Sequence, residues 1–282
     1  MKWPRFTPYE KALNWRQVVP TVFTLAAMLA GFLSILVAVQ AMGAPNALDP
    51  DKTGRCYRWA AQLIMLAMIL DGIDGNLARI LKGRSEFGAE LDTYVDMTAF
   101  GIAPAILVFA VTLQSKVPMV RVLLPSAVAL SGVVRLARFK VKDPLRGQGG
   151  YAGLPITVNA AWVALFVFIS QSPPRERFSL NQGFVAGLFL VGVFSFVILQ
   201  VTNLHYPKPT KNAILFGLCL VLVGLFLGFG HNVPWVAVRV AVVIIVLGVG
   251  YVVLGPLFVK GVAVHKARRE ARLGGGSSAG QA

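Results

Sequence analysis

The chain reads as an all-α integral membrane protein of about eight transmembrane helices. Three observations predict this. Of 282 residues, 56% are hydrophobic and 14% charged, with a mean hydropathy of +0.68, whereas about a quarter of the residues in a soluble domain are charged. Apolar runs near the roughly 20 residues needed to cross the hydrocarbon recur along the whole length. The connections between them alternate between rich and poor in Lys and Arg, as loops on opposite sides of a bilayer do.

Residues 1–19 form a basic lead in which Trp3, Phe6, Tyr9 and Trp15 alternate with Lys2, Arg5, Lys11 and Arg16, a composition suited to lying in the headgroup interface. The run from Val18 to Met42 exceeds the 7 to 15 residues of a signal-peptide core, so it is expected to be retained as the first span. Further runs follow at 57–81, 89–112, 119–138, 152–170 and 183–201, giving a six-helix core over 20–211. Two additional helices are expected within 212–259, at 212–229 and 235–259. A basic and then flexible tail occupies 260–282, ending in GGGSSAGQA.

A net charge of +15 raises the question of nucleic acid, but the basic residues are scattered between apolar spans and do not form one polar surface, so no nucleic-acid partner is expected. With the N-terminus inside, 19 of the 27 Lys and Arg residues fall on the inner side. That bias places both termini and the stretch 71–96 on the cytoplasmic side of the inner membrane, although Arg55 and Arg58 run against it in the first outer loop. Cys56 and Cys219 give no disulfide framework. Trp59, Trp162 and Trp235 near run ends suit an aromatic belt, and His205 and Tyr206 an interfacial anchor.

The stretch DGIDGNLARILKGRSEFGAELDTYVD, residues 71–96, holds four aspartates in a chain that has few acidic residues. Asp71 and Asp74 are three apart and Asp92 and Asp96 four apart, so each pair lies on one face if the segments are helical. Four converging carboxylates repel one another unless cations sit between them, and hard divalent ions prefer such oxygen ligands. Gly72, Gly75 and Ala78 leave room for a bulky ligand to approach the backbone, and Arg79, Lys82 and Arg84 follow. Carboxylates, metal and guanidinium together point to phosphate chemistry.

Written as Asp71-x2-Asp74-Gly75-x2-Ala78-Arg79-x8-Gly88-x3-Asp92-x3-Asp96, the stretch resembles the complete signature of the CDP-alcohol phosphotransferases. The resemblance implies that family's membrane fold and two divalent cations, Mg or Mn. Asp71, Asp74 and Asp92 would hold one ion and Asp71, Asp92 and Asp96 the second, with Asp96 also the general base. It further implies that Gly75 and Ala78 allow nucleotide approach, that Arg79 and Ser85 contact phosphate in CDP-diacylglycerol, and that the protein is a homodimer. For Lys82 the positive-inside role is the plainer reading.

Residues 18–36, 87–105, 131–161 and 199–211 resemble the segments that accompany this signature in the phosphatidylserine synthase branch, which implies L-serine as acceptor and CMP as leaving group. Arg135 and Arg138, three apart at the cytoplasmic end of the fourth run, could clamp the carboxylate of serine or a lipid phosphate, or could simply be a positive-inside pair. Two residues depart from the branch: Thr21 stands where Asn is common after the proline, and Lys140 follows RLARF where Asn is usual. On charge alone, Arg135, Arg138 and Lys140 would equally serve glycerol 3-phosphate or inositol phosphate, and choline also remains open as acceptor. An alternative of another class is a cation-coupled transporter, since intramembrane carboxylates mark ion pathways. The loop 147–153, GQGGYAG, could cover the cleft or be a plain glycine-rich connection.

Overall fold

Small residues decide how the helices meet. The computed structural model describes residues 14–43, 50–83, 85–112, 118–141, 150–173, 180, 183–207 and 213–274. In it, α1 (Trp15–Gly43) packs along α2 (Pro50–Ile80), and its buried stripe consists of Ala27, Ala30, Ser34, Ala38 and Ala41. Ser34 Oγ donates to the Ala60 carbonyl at 2.8 Å, closing the two backbones on each other. Lipid tails are as apolar as leucine, so close packing of small residues is what holds such helices together. The opposite face of α1 exposes Val22, Leu25, Leu29, Phe32 and Leu36, a surface made for hydrocarbon.

The third apolar run forms one continuous rod: α3 (Glu86–Asp96), a π-helical turn (Met97–Ile102) and α4 (Ala103–Thr112). It is followed by α5 (Pro118–Val141), α6 (Ile156–Ser170), α7 (Gly183–Val201), α8 (Ala213–Asn232) and α9 (Pro234–Gly274). Helix α6 touches α2, α4, α7 and α9, and 12 of its 15 residues are buried, so a helix apolar all round forms the centre of the bundle. Among the described residues, six helices are long and apolar enough to cross a membrane, at 15–43, 86–112, 119–141, 183–201, 215–232 and 234–257. The chain is therefore an integral, multi-pass membrane protein. Helix α2 falls outside that set because its second half carries the aspartates, and α6 because it is short.

The structure differs from the sequence reading in four places. Gly150–Ala152 is a strand, β1, paired antiparallel with β2 (His205–Pro207), so α6 starts at Ile156 and not at 152. Gly153, at φ +80°, donates to the Leu204 carbonyl at 2.8 Å, so the described part of the 147–153 loop is tied to the body. Helix α9 runs to Gly274, through a basic segment of strong helix formers that was expected to be tail. Trp162 and Tyr206 are core residues and not interfacial ones: Trp162 fills the space that Gly192 leaves on α7, and Tyr206 is wholly buried beside Tyr251. Trp59 and Trp235 remain exposed, as a belt requires. Residues 1–13 and the tail from 275 lie outside the described residues.

Candidate active site

The end of α2 and the start of α3 are joined by a turn whose geometry is local in origin. The Gly83 N–H donates to the Ala78 carbonyl at 3.0 Å and the Lys82 N–H to Arg79 at 3.3 Å, the bonding pattern of a Schellman motif, with Lys82 at φ 52° in the left-handed position. A side chain at Gly83 would strike the carbonyl oxygen of Arg16. That carbonyl is exposed because Pro20, four residues on in α1, has no N–H to offer it. Lys82 sits where an L-residue costs about 1 kcal/mol, so Lys82→Gly is expected to raise thermal stability by about that amount. An unchanged or lower Tm would contradict this account of the turn.

Helix α3 begins at Ser85, whose Oγ accepts from the Gly88 N–H at 3.0 Å. Gly88 has no side chain to crowd that hydroxyl, since a Cβ there would stand 3.1 Å from it. Set at this angle, α2 and α3 bring their acidic faces together. One carboxylate oxygen from each of Asp71, Asp74 and Asp92 lies within 4.8 Å of the other two. The Asp71 and Asp92 carboxyl groups are within hydrogen-bonding reach of each other. Asp96, one turn further along α3, adds its charge to the same group and also feels the positive charge of Arg135 from α5.

Asp74 is 4% exposed, and its Oδ2 has no hydrogen-bond partner among the described residues. Three close carboxylates with a buried, uncompensated oxygen fit a hard divalent cation, which takes oxygen ligands and supplies the missing charge. The aspartate cluster can thus hold a divalent metal.

The remaining predicted site residues divide. Gly75 faces open space, with nothing within 4 Å of where a Cβ would be. Ala78 is half-buried and Arg79 exposed along the same helix, while Arg84 lies outside the described residues. Arg135 is buried beside Asp96, whereas Arg138 donates to the carbonyls of Val201 at 2.7 Å and Thr202 at 3.3 Å at the end of α7. Lys140 forms an ion pair with Glu90 on α3 and lies over the Tyr94 ring at 6.0 Å. The departure at Lys140 therefore adds a cross-helix contact at the surface and no second charge beside Asp96.

Comparison with known proteins decides the family. The family model for CDP-alcohol phosphatidyltransferases matches residues 17–199. The chain belongs to the CDP-alcohol phosphatidyltransferase family. Among similar family members, the CDP-diacylglycerol–serine O-phosphatidyltransferase of Helicobacter pylori is 27% identical over 216 residues, covering 76% of this chain and 83% of that one. The enzyme of the same name from Methanocaldococcus jannaschii is 31% identical, covering 58% and 73%. The archaetidylserine synthase of Methanothermobacter thermautotrophicus is 29% identical, covering 67% and 70%.

In this CDP-alcohol phosphatidyltransferase two buried polar residues, within segments 18–36 and 199–211, were not singled out from the sequence. Thr24 on α1 is buried within hydrogen-bonding reach of Asp74, and its hydroxyl also reaches the Pro20 carbonyl at 3.1 Å. Gln200, adjacent to the carbonyl that Arg138 binds, is 1% exposed, and neither of its amide atoms has a hydrogen-bond partner among the described residues.

Proposed function

We propose that this chain transfers the phosphatidyl group of CDP-diacylglycerol to the hydroxyl of L-serine, giving phosphatidylserine and CMP. The observation that carries the reading is the convergence of Asp71, Asp74 and Asp92, the signature carboxylates, at one end of an apolar bundle. The printed activities of the relatives from Helicobacter pylori and Methanocaldococcus jannaschii support the acceptor.

Asp71, Asp74, Asp92 and Asp96 would hold two divalent cations, Mg²⁺ or Mn²⁺. Bound there, the ions neutralise pyrophosphate and the charge that grows on the leaving nucleotide. The open space at Gly75 admits the nucleotide, and Arg79 and the Ser85 hydroxyl offer donors to phosphate. Asp96 accepts the proton of the serine hydroxyl as its oxygen attacks the phosphorus that carries the diacylglycerol. The bond from that phosphorus to the CMP oxygen breaks, and CMP leaves.

Arg135, buried beside Asp96, holds the serine carboxylate, and a planar guanidinium suits that task. Arg138 bonds to the end of α7 and Lys140 pairs with Glu90, and of the three cations it is Arg135 whose charge acts on Asp96. One cation matches a monoanionic carboxylate better than the doubly charged phosphate of glycerol 3-phosphate. The basic bias of alternate loops supports a cytoplasmic site and cytoplasmic termini, and family resemblance supports a homodimer.

Purified protein supplied with CDP-diacylglycerol and Mg²⁺ or Mn²⁺ is expected to release CMP on addition of L-serine, and not of glycerol 3-phosphate, inositol phosphate or choline. Arg135→Lys should raise the KM for serine by about tenfold or more, the loss of one bidentate contact. Release of CMP with a different alcohol would reassign the acceptor, and unchanged kinetics in Arg135→Lys would remove that residue from it.

A further inference from the structure

The first half of α2, at the far end of the helix from the aspartates, lines a polar cleft that the reaction does not use. Arg58 and Asp71 are thirteen residues apart, about 20 Å along the helix axis. The cleft has a volume of about 220 Å³ and is lined by Arg55, Arg58, Trp59 and Gln62 from α2 and by Gly230 and His231 from α8.

Its walls are held in place by specific contacts. Arg58 Nη1 donates to the Gln171 carbonyl at the end of α6 at 2.6 Å, which fixes the direction of the guanidinium. Gln62 is 7% exposed, and its Nε2 donates to the Leu227 carbonyl at 3.3 Å. The Gln62 amide sits where a side chain at position 230 would be, so Gly230 is what lets α8 approach. The Trp59 and His231 rings stand 5.4 Å apart across the mouth.

The side-chain chemistry of this lining is dominated by donors: two guanidinium groups, an imidazole and an indole. Such a set in a concave site selects an anion, and paired guanidinium forks match phosphate oxygens better than any other common group. Trp59 and Trp235, both exposed, mark the level at which headgroups meet hydrocarbon. The cleft also accounts for Arg55 and Arg58, which stand on the side of the membrane where positive-inside bias disfavours them. Helix α8 lies beyond residues 17–199 matched by the family model, so the added hairpin supplies one wall.

We propose that the cleft between α2 and α8 binds a phosphate-bearing anion, an anionic phospholipid headgroup or inorganic phosphate, in the leaflet opposite the aspartate cluster. This site is independent of the proposed reaction, and its test does not depend on turnover. The full chain is placed in phosphatidylcholine nanodiscs, and Tm is measured alone, with phosphatidylglycerol included, and with added inorganic phosphate. Phosphatidylglycerol is expected to raise Tm by about 3–5 °C, the shift produced by a ligand near ten times its Kd. A rise with phosphate as well identifies the free anion as sufficient, and a rise with the lipid alone identifies the headgroup.

The double variant Arg55→Gln, His231→Gln should lose that rise, while Asp71→Asn should keep it, which separates the cleft from the aspartate cluster. Should the double variant not purify, Arg55→Gln alone, at an exposed position, is expected to cut the rise by at least half. An equal rise in the parent and the Arg55 variants, or no rise with either anion, overturns the proposal.

Discussion

Replacing Asp71 by Asn is expected to lower CMP release by about 10³-fold or more while leaving the bundle at least as stable as before. Asp71 is the centre of the cluster: it feels the charges of Asp96, Asp92 and Asp74 and lies within hydrogen-bonding reach of Asp92. Two full charges 4.8 Å apart repel by about 3.5 kcal/mol at an effective dielectric near 20. Without a cation that repulsion weakens the fold, so neutralising one member relieves it. The same change removes one of the two carboxylates, the other being Asp92, that both proposed ion positions share. Activity and stability are therefore expected to move in opposite directions, a pattern seen where strain is kept for function. Mn²⁺ should raise the Tm of the parent and leave that of the variant unmoved. Activity within tenfold of the parent, or an undiminished response to Mn²⁺, would sink the assignment of these carboxylates to metal.

Much of this arrangement was legible in the chain, for physical reasons that differ from residue to residue. The run 183–201 coincides with α7, Gly183–Val201, because a bilayer sets a helix length that composition alone reveals. Spacing put Asp71 with Asp74, and Asp92 with Asp96, on shared helix faces, while the grouping of Asp71, Asp74 and Asp92 came from the family resemblance. What escaped depends on contacts between distant segments. Trp162 is buried because Gly192, thirty residues later, opens a hole for its ring. Arg135 and Arg138 share a helix face by spacing, yet Arg138 bonds to the carbonyls of Val201 and Thr202 while Arg135 is buried where its charge acts on Asp96. The three-residue strands β1 and β2 are too short to leave a periodic pattern. The π-helical turn after Asp96 was also invisible, since its sequence, MTAFGI, continues the same apolar run.

That turn makes Gly31 the position where packing and chemistry meet, and Gly31→Val is expected to damage both. A Cβ at Gly31 would stand 2.6 Å from the Ala99 Cβ and 2.7 Å from its Cα, and the second of these is backbone that no rotamer change can move. Ala99 belongs to the π-helical turn that begins immediately after Asp96. On the other side of the turn, a Cβ added at Gly132 of α5 would stand 3.6 Å from the Gly101 Cα, so α5 lies close behind the turn and leaves it little room to retreat. Valine at position 31 must then push α1 off the α3–α4 rod at a cost of about 1–3 kcal/mol, as overpacking of a close-fitting core does. Because Asp96 is fixed to the start of that turn, a displacement of about 1 Å there should cost roughly a hundredfold in turnover. Gly187→Val on α7 is the control, since nothing lies within 4 Å of the Cβ it would add. If Gly31→Val matched Gly187→Val in both Tm and CMP release, the π-helical turn would not be what positions Asp96.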